Sequence, residues 1–389
     1  MAGCALWHRA CSPAGFDHRF DTGTFPREPW RGLVPAMTVE VALARVECFD
    51  ALAATWRQLE AEAADPAFFQ TWTWVGCLAG ERYPDPVLLR AEERGRLVGL
   101  ALFNRRHGQL CLTESGDTAL DAPFIEHNAP LLARDAGPQV LGALLQAAWR
   151  HPGIRRLRLG GVPPEVLRAA GGTVLRLQER LAPVVRLDAV RAAGRGYLGG
   201  LSANTRYQLR RSARRYAEQG GVALRRAATE AEALEWLDAL IELHGQSWRR
   251  RGKPGAFGNP FMRRFHRALV ARALARGEVD LFRLDAAGEA AGYLYNFRLR
   301  GRIYAYQSGF ADSGADPHAK PGLTCHHLAV EQALAAGDRE YDFLAGADRY
   351  KLSFANATVP LLWAEMVPAW SGAGLVARLM GAIRRQGAA

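Results

Sequence analysis

The amino-acid sequence predicts a mixed α/β protein in which one kind of structural unit occurs twice. The chain has 389 residues, more than one hydrophobic core usually organises, so two domains are expected. Each half shows a strand, helices, a meander of strands, and then a further helix and strand. With 49% hydrophobic and 23% charged residues, the composition is that of a globular protein and excludes a disordered or fibrous one.

The first 37 residues differ from the rest of the chain because they show neither helical nor strand periodicity. They also lack the apolar stretch of a signal peptide. Regular patterning begins directly after Met37. We therefore expect an unstructured extension over residues 1–37, with Met37 as the biological start and the preceding segment as an over-extended reading frame.

The first predicted unit covers residues 38–190. Leu52, Trp56 and Leu59 share one helical face at the spacing i, i+4, i+7, which indicates a helix over 49–63. The other predicted elements are strands over 39–46, 87–92, 97–104, 109–112 and 155–159, strands near Val174 and Val184, and helices over 138–150 and 163–170. An aromatic cluster at 68–74 is interpreted either as core packing or as the wall of a substrate groove.

A basic helix is predicted over residues 204–219, inside a connecting segment that spans 191–221, with Ser202 as a suitable N-cap. Arg206, Arg210 and Arg214 repeat every four residues, so they share one helical face. Like charges at this spacing destabilise a helix by a few tenths of a kcal/mol per pair, roughly. The helix is therefore either a solvated connection or a face that neutralises an anion.

The second predicted unit covers residues 222–370 and repeats the first in outline. Its predicted strands cover 222–226, 278–284, 291–299, 302–310, 341–344 and 361–366, and its predicted helices cover 230–250, 260–275 and 322–336. The remaining residues, 371–389, form a tail. Over 375–385 this tail has apolar residues on one side and arginines on the other, as a helix that lies on an anionic membrane surface does. Docking onto its own domain is the alternative interpretation.

Charge and cysteine content limit the function classes. The formal net charge of +11 favours an anionic partner, such as a nucleotide-bearing cofactor, a nucleic acid, an acidic glycan or a lipid headgroup. The six cysteines are scattered without a CxxC pair or zinc spacing, so we expect no disulfide framework, no structural metal and a cytoplasmic location. The sequence contains no run of 18 or more uncharged apolar residues, so we expect no membrane-spanning helix.

Lysine is rare, and its positions are informative. Only three of the 50 basic residues are lysines, namely Lys253, Lys320 and Lys351. Their positions either mark places where an ammonium group is specifically required or are due to chance. Lys320 lies in a loop that leads directly into a predicted helix at Gly322. Unpaired amide groups and the helix dipole make such a place suited to a phosphate.

The segment from Glu340 to Phe354 combines a buried-type strand, a glycine turn and the start of a helix. Asp342 lies in the strand, and Asp348, Tyr350 and Lys351 follow the turn. A tyrosine here can protonate a leaving thiolate, and a lysine can pair with a phosphate. The alternatives are a packing role for Tyr350 and an N-cap role for Asp348. His318, His326 and His327 lie nearby, but two adjacent histidines on a helix cannot both face one site.

Four segments together resemble the BioF-like acetyltransferase domain of the GNAT superfamily. They are residues 201–216, 292–310, 320–322 and 341–354. This family includes the CelD-type proteins of exopolysaccharide and cellulose biosynthesis and is similar to the FemAB aminoacyl transferases. The resemblance implies two GNAT-like domains in tandem, each a mostly antiparallel central sheet flanked by helices. It also implies transfer of an acyl group from a thioester or aminoacyl donor to an amine or hydroxyl group.

The resemblance also implies roles for individual residues. The helix start at Gly322 matches the place where GNAT enzymes hold the pyrophosphate of coenzyme A, and Lys351 matches a lysine that contacts the diphosphate of a nucleotide-linked acceptor. The loop departs from the GNAT pattern Q/R-x-x-G-x-G/A, and the chain has no heptad-patterned insertion of the kind that FemAB enzymes often carry. The predicted catalytic residues are Tyr350, Asp348 and Asp342, those for acyl-CoA are Lys320, Gly322 and Leu323, and those for substrate are Lys351, Arg206, Arg210, Tyr306 and Trp248.

The expected partner is an anionic small molecule or a glycan precursor, with acyl-CoA as co-substrate and no metal. Two other classes stay open, a non-catalytic scaffold of a polysaccharide-synthesis complex and a nucleic-acid binder that uses the arginine helix. Only Tyr207 and Tyr216 add aromatic rings to that helix, so no specific nucleic-acid partner is expected. The basic tail predicts peripheral contact with the inner face of the membrane.

Overall fold

The computed structural model describes residues 39–121, 125–218, 220–312, 316, 318–346 and 348–377. The predicted extension over 1–37 and most of the basic tail lie outside these residues.

The first half of the chain contains seven strands and four α-helices among its described residues. The strands are β1 (Val39–Ala44), β2 (Pro86–Glu93), β3 (Arg96–Arg106), β4 (Gln109–Leu112), β5 (Leu131–Leu132), β6 (Arg156–Val162) and β7 (Thr173–Arg186). The helices are α1 (Phe49–Glu62), α2 (Trp72–Arg82), α3 (Val140–Trp149) and α4 (Pro164–Ala170), with a 3₁₀ turn at Phe68–Gln70. Three further helices, α5 (Leu187–Ala193), α6 (Gly196–Gly200) and α7 (Ala203–Glu218), connect this half to the next.

The second half repeats the same order of elements. Its strands are β8 (Val222–Arg226), β9 (Val279–Ala286), β10 (Glu289–Leu299), β11 (Arg302–Phe310), β12 (Glu340–Asp342) and β13 (Ala357–Val367). Its helices are α8 (Glu230–Arg250), α9 (Pro260–Leu274), α10 (Pro321–Ala335) and α11 (Arg349–Phe354). The predicted boundaries near residues 190 and 222 lie close to the end of β7 and the start of β8.

All of these strands form one sheet flanked by helices. Within the described residues its order is β1-β2-β3-β4-β6-β13-β7-β12-β11-β10-β9-β8, and β5 pairs with β3. Neighbouring strands are antiparallel except for the pairs β4–β6 and β11–β12. The predicted mixed α/β class with mostly antiparallel pairing is confirmed.

The two halves exchange their last strands. β13, the last strand of the second half, pairs with β6 of the first half. β7, the last strand of the first half, pairs with β12 of the second half. β7 and β13 also pair with each other over eleven positions, from Thr173–Val367 to Val184–Ala357. The sheet is therefore continuous across the two halves, and neither half completes its own sheet.

Several elements differ from the sequence prediction: it does not include β5, α5 or α6, the strand predicted over 341–344 is Glu340–Asp342, and β7 and α2 also differ. β7 is one strand of 14 residues, where two short strands are predicted near Val174 and Val184. Its middle is largely exposed and mixes leucines with Arg176, Gln178, Glu179 and Arg180, so no buried apolar face marks the strand there. α2 is a helix that the sequence does not indicate, because two tryptophans and a buried threonine in its first turn obscure any amphipathic period. Thr71 caps it by accepting a hydrogen bond from Trp74 N at 3.3 Å.

The aromatic cluster of the first half is core, not the wall of a groove. Phe68, Phe69 and Trp74 are all buried. The ring of Phe68 stacks on that of Phe297 from β10, with ring centroids 4.2 Å apart, and Trp74 contacts Phe265 of α9 edge to face. These contacts bury aromatic surface between the halves and position the second half against the first.

Candidate active site

The candidate site is a cleft at the place where the parallel strands β11 and β12 separate. The two strands pair only over Arg302–Tyr304 and Glu340–Asp342. β11 then continues to Phe310, whereas β12 ends at Asp342. The cleft has a volume of about 620 Å³ and is lined by β11, α8, α10 and α11.

One wall is formed by α8, which lies directly against β11. A Cβ atom at Gly309 would lie 2.6 Å from the carbonyl oxygen of Leu240 in α8, so only glycine allows this approach. His244, also in α8, fixes the contact because its Nδ1 atom lies 3.1 Å from a β11 carbonyl oxygen. Trp248 and Arg251, at the end of α8, therefore line the cleft.

α7 fixes the loop that leads into α10. The Ser212 hydroxyl accepts a hydrogen bond from Lys320 N at 3.1 Å and lies 2.8 Å from the Thr324 hydroxyl. Arg215 donates to the Asp316 carboxylate at 2.8 Å, and this bond lowers the pKa of Asp316. The first turn of α10 is thereby held at one end of the cleft.

That end of the cleft is suited to an anion. Lys320, Gly322 and Leu323 line it. The first amide groups of a helix lack partners within the helix and lie at the positive end of its dipole. The Lys320 ammonium group adds a charge and donates to Gln208 Oε1 at 2.8 Å. A phosphate or pyrophosphate group therefore fits this end by charge and by hydrogen-bond donors.

α11 brings Tyr350 into the cleft. Its ring stacks on His326 from α10, with centroids 5.4 Å apart. Burial, together with the charge of Asp348, raises the pKa of the Tyr350 hydroxyl above its ordinary value. Burial lowers the pKa of His326 to about 3, so this imidazole is neutral near pH 7. Tyr350 is thus a protonated hydroxyl held in place by a neutral ring, which suits a proton donor.

Lys351 lies beside Tyr350. Its side chain is half-buried and lines the cleft. It donates to the carbonyl oxygens of Leu344 and Ala345, both at 3.3 Å. Burial lowers its pKa, and the negative charges of Glu126, Asp348 and Asp342 act in the opposite direction. The ammonium group is therefore partly compensated by carboxylates from both halves of the chain.

Two residues of the first half, Glu126 and His127, contact the segment from Asp342 to Ala345 next to the cleft but do not line the cleft itself. Glu126 accepts a hydrogen bond from Ala345 N at 2.6 Å, and burial raises its pKa to about 7. His127 Nε2 lies 2.7 Å from the Asp342 carboxylate. Burial alone would lower the pKa of His127, but the negative charge of Asp342 raises it overall.

The backbone is strained at this contact. His127 and Leu344 adopt positive φ angles of 49° and 60°, a region that residues with side chains rarely occupy. Leu344 N donates to Asp342 Oδ1 at 2.6 Å, which fixes the turn after β12. Strained backbone of this kind is typical of functional sites.

The loop that carries Glu126 fills the corresponding opening of the first half, between β4 and β6. A Cβ atom at Gly161 would lie 2.0 Å from the Ile125 carbonyl oxygen, and one at Gly160 would lie 2.4 Å from the Glu114 carboxylate. These contacts leave the first half with a filled opening where the second half has the cleft. The first half instead contributes two side chains to the site of the second.

The structure brings together eight of the eleven predicted site residues. Those that line the cleft are Tyr350, Asp348, Lys320, Gly322, Leu323, Lys351, Tyr306 and Trp248. Asp342 is fully buried beneath the cleft, where it contacts His127. Arg206 donates to the Leu201 carbonyl oxygen and Arg210 is exposed, so neither residue lines the cleft. The roles of all eleven residues stay predictions.

Sequence reasoning missed Glu126, His127, His244 and Arg251. Glu126 and Ala345 are 219 residues apart in the chain, and no local pattern joins them. The one signal in the sequence is the adjacent pair of ionisable residues Glu126 and His127, which lies between the apolar Ile125 and the dipeptide Asn128-Ala129.

No group of three or more His, Cys, Asp or Glu side chains in the described part is arranged to hold a metal ion. None of the helices in that part is long and apolar enough to cross a membrane.

Comparison with known proteins identifies the type of domain in the second half. Residues 203–352 match the family described as "Acetyltransferase (GNAT) domain", so this part of the chain is a GNAT domain. No curated protein matches the sequence significantly.

Solved structures show that the fold extends over most of the chain. FemX is similar with a TM-score of 0.54 at 11% identity, over 80% of this chain and 95% of FemX. The C-terminal domain of a putative lysylphosphatidylglycerol synthetase from Agrobacterium fabrum gives a TM-score of 0.51 at 13% identity, over 86% of this chain and 96% of that domain. The structure of L-PGS from Bacillus licheniformis gives a TM-score of 0.51 at 13% identity, over 84% of this chain and 96% of that structure.

These similarities concern the fold. The repeated order of elements and the family match at residues 203–352 confirm the predicted fold of tandem GNAT-like units, and the likeness to FemX extends that fold over most of the chain. The cleft lies within residues 203–352, and Glu126 and His127 contact Ala345 and Asp342 of that range from outside it.

Proposed function

Proceeding from the GNAT domain at residues 203–352, we propose that this chain is an acyltransferase that moves an acyl group from acyl-CoA to an amine or hydroxyl group. The proposed acceptor is an anionic small molecule or a glycan precursor. The observation that carries this proposal is the cleft itself, which joins an anion-suited helix terminus at Gly322 to the protonated hydroxyl of Tyr350.

The donor is proposed to bind at the start of α10. The amide groups of Gly322 and Leu323, with the Lys320 ammonium group, would hold the pyrophosphate of coenzyme A. α7 supports this by fixing the preceding loop through Ser212 and Arg215. The thioester would then extend along the free edge of β11 toward Tyr350.

In the proposed reaction the acceptor nitrogen or oxygen attacks the thioester carbon. A bond forms between the acceptor atom and the acyl carbon, and the bond between that carbon and sulfur breaks. Tyr350 gives its proton to the leaving thiolate, and the proton lost by the acceptor returns through solvent to Tyr350. Holding donor and acceptor together in one cleft lowers the entropic cost of the encounter.

The acceptor is proposed to bind near Lys351 and Arg251. Both side chains line the cleft, which fits an anionic group on the acceptor. Arg206 and Arg210, predicted for this role, lie away from the cleft, and Arg251 takes their place in the proposal. The resemblance to the CelD-type proteins supports a role in exopolysaccharide or cell-envelope biosynthesis.

Calorimetric titration of the full chain with acetyl-CoA tests the proposal. We expect binding, and we expect Lys320→Ala to weaken it by about 10-fold or more, since a charge-assisted hydrogen bond contributes about 1.5–3 kcal/mol. The matched control is Arg214→Ala, an exposed cation on the other side of α7, which should leave the affinity unchanged. Equal losses in both variants would contradict the assignment of the pyrophosphate site.

Two other functions from the sequence predict different results. An aminoacyl transferase, supported by the resemblance to the FemAB enzymes, would show no binding of acetyl-CoA or longer acyl-CoA. A non-catalytic scaffold would bind no donor of either kind, and variants of Tyr350 and Lys351 would be dispensable in cells.

A further inference from the structure

Exposed apolar side chains gather at the end of the sheet where β7 begins and β13 finishes. Trp370 is 70% exposed, Leu375 is 53% exposed and Val376 is 56% exposed. On β7, Leu177 is 54% exposed and Leu175 is 39% exposed. Single exposed apolar residues are ordinary, but several at one end of a molecule indicate a surface that contacts something.

The strand register places these residues at the same end. Val367 of β13 pairs with Thr173 of β7, so Leu175 lies two residues from the point where the chain leaves the sheet, and Trp370 lies three residues after it. A short helical turn follows, in which Leu375 N donates to the Ser371 carbonyl oxygen at 2.9 Å. We call residues 150–156, 165–177 and 365–377 the terminal patch.

The other members of the terminal patch are placed there by packing. β6 pairs with β13 so that Leu157 lies opposite Met366, which brings residues 150–156 to this end. α4 packs on β13, and a Cβ atom at Gly172 would lie 2.8 Å from the Val367 carbonyl oxygen.

The terminal patch is positively charged. It contains five exposed arginines and two glutamates, a net charge of +3. The arginines are Arg150, Arg155, Arg156, Arg168 and Arg176, and the glutamates are Glu165 and Glu365. Arg176 lies 3.9 Å from the Glu365 carboxylate, a distance at which an exposed pair interacts weakly.

We propose that the terminal patch docks on the surface of an anionic lipid bilayer. An exposed tryptophan beside exposed aliphatic residues is suited to the headgroup level of a membrane, where an aromatic ring meets both apolar and polar surroundings. Arginines around them attract acidic headgroups. The net charge of +3 around Trp370 and Leu375 is complementary to an anionic bilayer surface, whereas a second copy of the same patch would bring like charges together.

A second copy of the chain is the other occupant to consider. The edge of β7 from Val174 to Arg180 faces away from β13, and β12 pairs with β7 only at Val184–Arg186. This edge carries Arg176, Glu179 and Arg180, and charged side chains on an edge strand disfavour pairing with another strand. Strand addition by a second copy is therefore the less suitable arrangement.

Docking in this way would turn the cleft toward the membrane. β12 is parallel to β11 and antiparallel to β7, so the start of β7 and the cleft-lining end of β11 extend in the same direction. If the proposed acyltransferase function is correct, the bound acceptor then lies on the membrane side of the sheet. The docking itself does not depend on that function.

Co-sedimentation of the full chain with vesicles tests the docking. The probes are vesicles of phosphatidylcholine alone and vesicles of phosphatidylcholine with phosphatidylglycerol. We expect binding to the anionic vesicles that weakens as salt concentration rises, and little binding to the neutral ones. The double variant Trp370→Ser with Leu375→Ser should lower the partition coefficient by about 10-fold or more.

The matched control is Leu43→Ser. Leu43 is 60% exposed on β1, at the far edge of the same sheet, and its substitution should leave vesicle binding unchanged. Equal loss in the control and the double variant, or no preference for anionic vesicles, would overturn the proposal. So would a concentration-dependent dimer, seen by light scattering, that the double variant abolishes.

The two proposals fail separately. Titration of the double variant with acetyl-CoA should give the affinity of the unmodified chain, because Trp370 and Leu375 do not line the cleft. Vesicle binding without acetyl-CoA binding would contradict the proposal that acyl-CoA is the donor and would still support the proposal that the terminal patch docks on a membrane.

Discussion

At the scale of single residues, Tyr350 is the side chain whose chemistry can be tested most directly. Its hydroxyl has a raised pKa through burial and the nearby charge of Asp348, so it is protonated at neutral pH. We expect Tyr350→Phe to lower kcat by about 10²-fold or more, the range for loss of a general acid, with donor affinity unchanged. The measurement is thiol release from acetyl-CoA with a panel of amine and hydroxyl acceptors.

The control for this substitution is Tyr197→Phe. Tyr197 is also a buried tyrosine, and its hydroxyl donates to the Phe354 carbonyl oxygen at 2.9 Å, but it does not line the cleft. Its loss should reduce stability without a specific loss of kcat. Similar rates for Tyr350→Phe and the unmodified chain would show that solvent protonates the thiolate.

Single residues also show what the sequence reveals about the site and what it does not. The rarity of lysine and the strand-turn-helix pattern after Glu340 predict Lys351 and Tyr350, because both signals are local. Glu126 and His127 give no such signal, since their role depends on contacts with residues more than 200 positions later. Their place in the site follows only from the fold.

At the scale of elements, the loop that carries Glu126 predicts a pH-dependent stability. The carboxyl of Glu126 has a pKa of about 7 in the folded chain, against an ordinary value of 4.5. Between these values the folded chain keeps a proton that the unfolded chain loses, so this group makes stability fall as pH rises. The side chain of Glu126→Gln is always neutral. Its free energy of unfolding, relative to that of the unmodified chain, should therefore rise by on the order of 1–3 kcal/mol between pH 5 and pH 8.

Urea denaturation of both proteins at the two pH values measures this difference. Carboxyls remote from Glu126 contribute equally to both proteins, whereas His127, Asp342 and Lys351 interact with Glu126, so the difference reports this cluster as a whole. The control is Glu40→Gln, which removes an exposed carboxyl on β1, away from the cleft. A pH-independent difference between Glu126→Gln and the unmodified chain would contradict the raised pKa of Glu126.

α7 shows how far periodicity alone can place an element. The sequence predicts the helix, its N-cap at Ser202 and an arginine face, and Thr205 N does donate to Ser202 Oγ at 3.2 Å. Periodicity does not indicate which face of α7 packs, because that face contacts the loop before α10, which lies more than 100 residues further along the chain. The structure packs the face of Ser212 and Arg215 on that loop and leaves Arg210 exposed.

At the scale of the whole molecule, the sequence predicts the repeat but not the exchange of last strands. Each half contains the elements of a complete unit, and nothing in the pattern of β7 or β13 says which half it will join. The exchange follows from the pairing partners that the folded chain offers. Its consequence is that β6 and β12, one from each half, both depend on the β7–β13 pair.

This dependence predicts that the two halves unfold together. Hydrogen exchange of peptides from β6 and β12, followed against denaturant concentration, should lose protection at the same midpoint. Leu362 lies in β13 and is buried in the core, so Leu362→Ala should lower the free energy of unfolding by about 2–5 kcal/mol and move both midpoints equally. Independent halves would instead give two midpoints, with the substitution moving only one of them, and the strand exchange would then contribute little to the stability of the sheet.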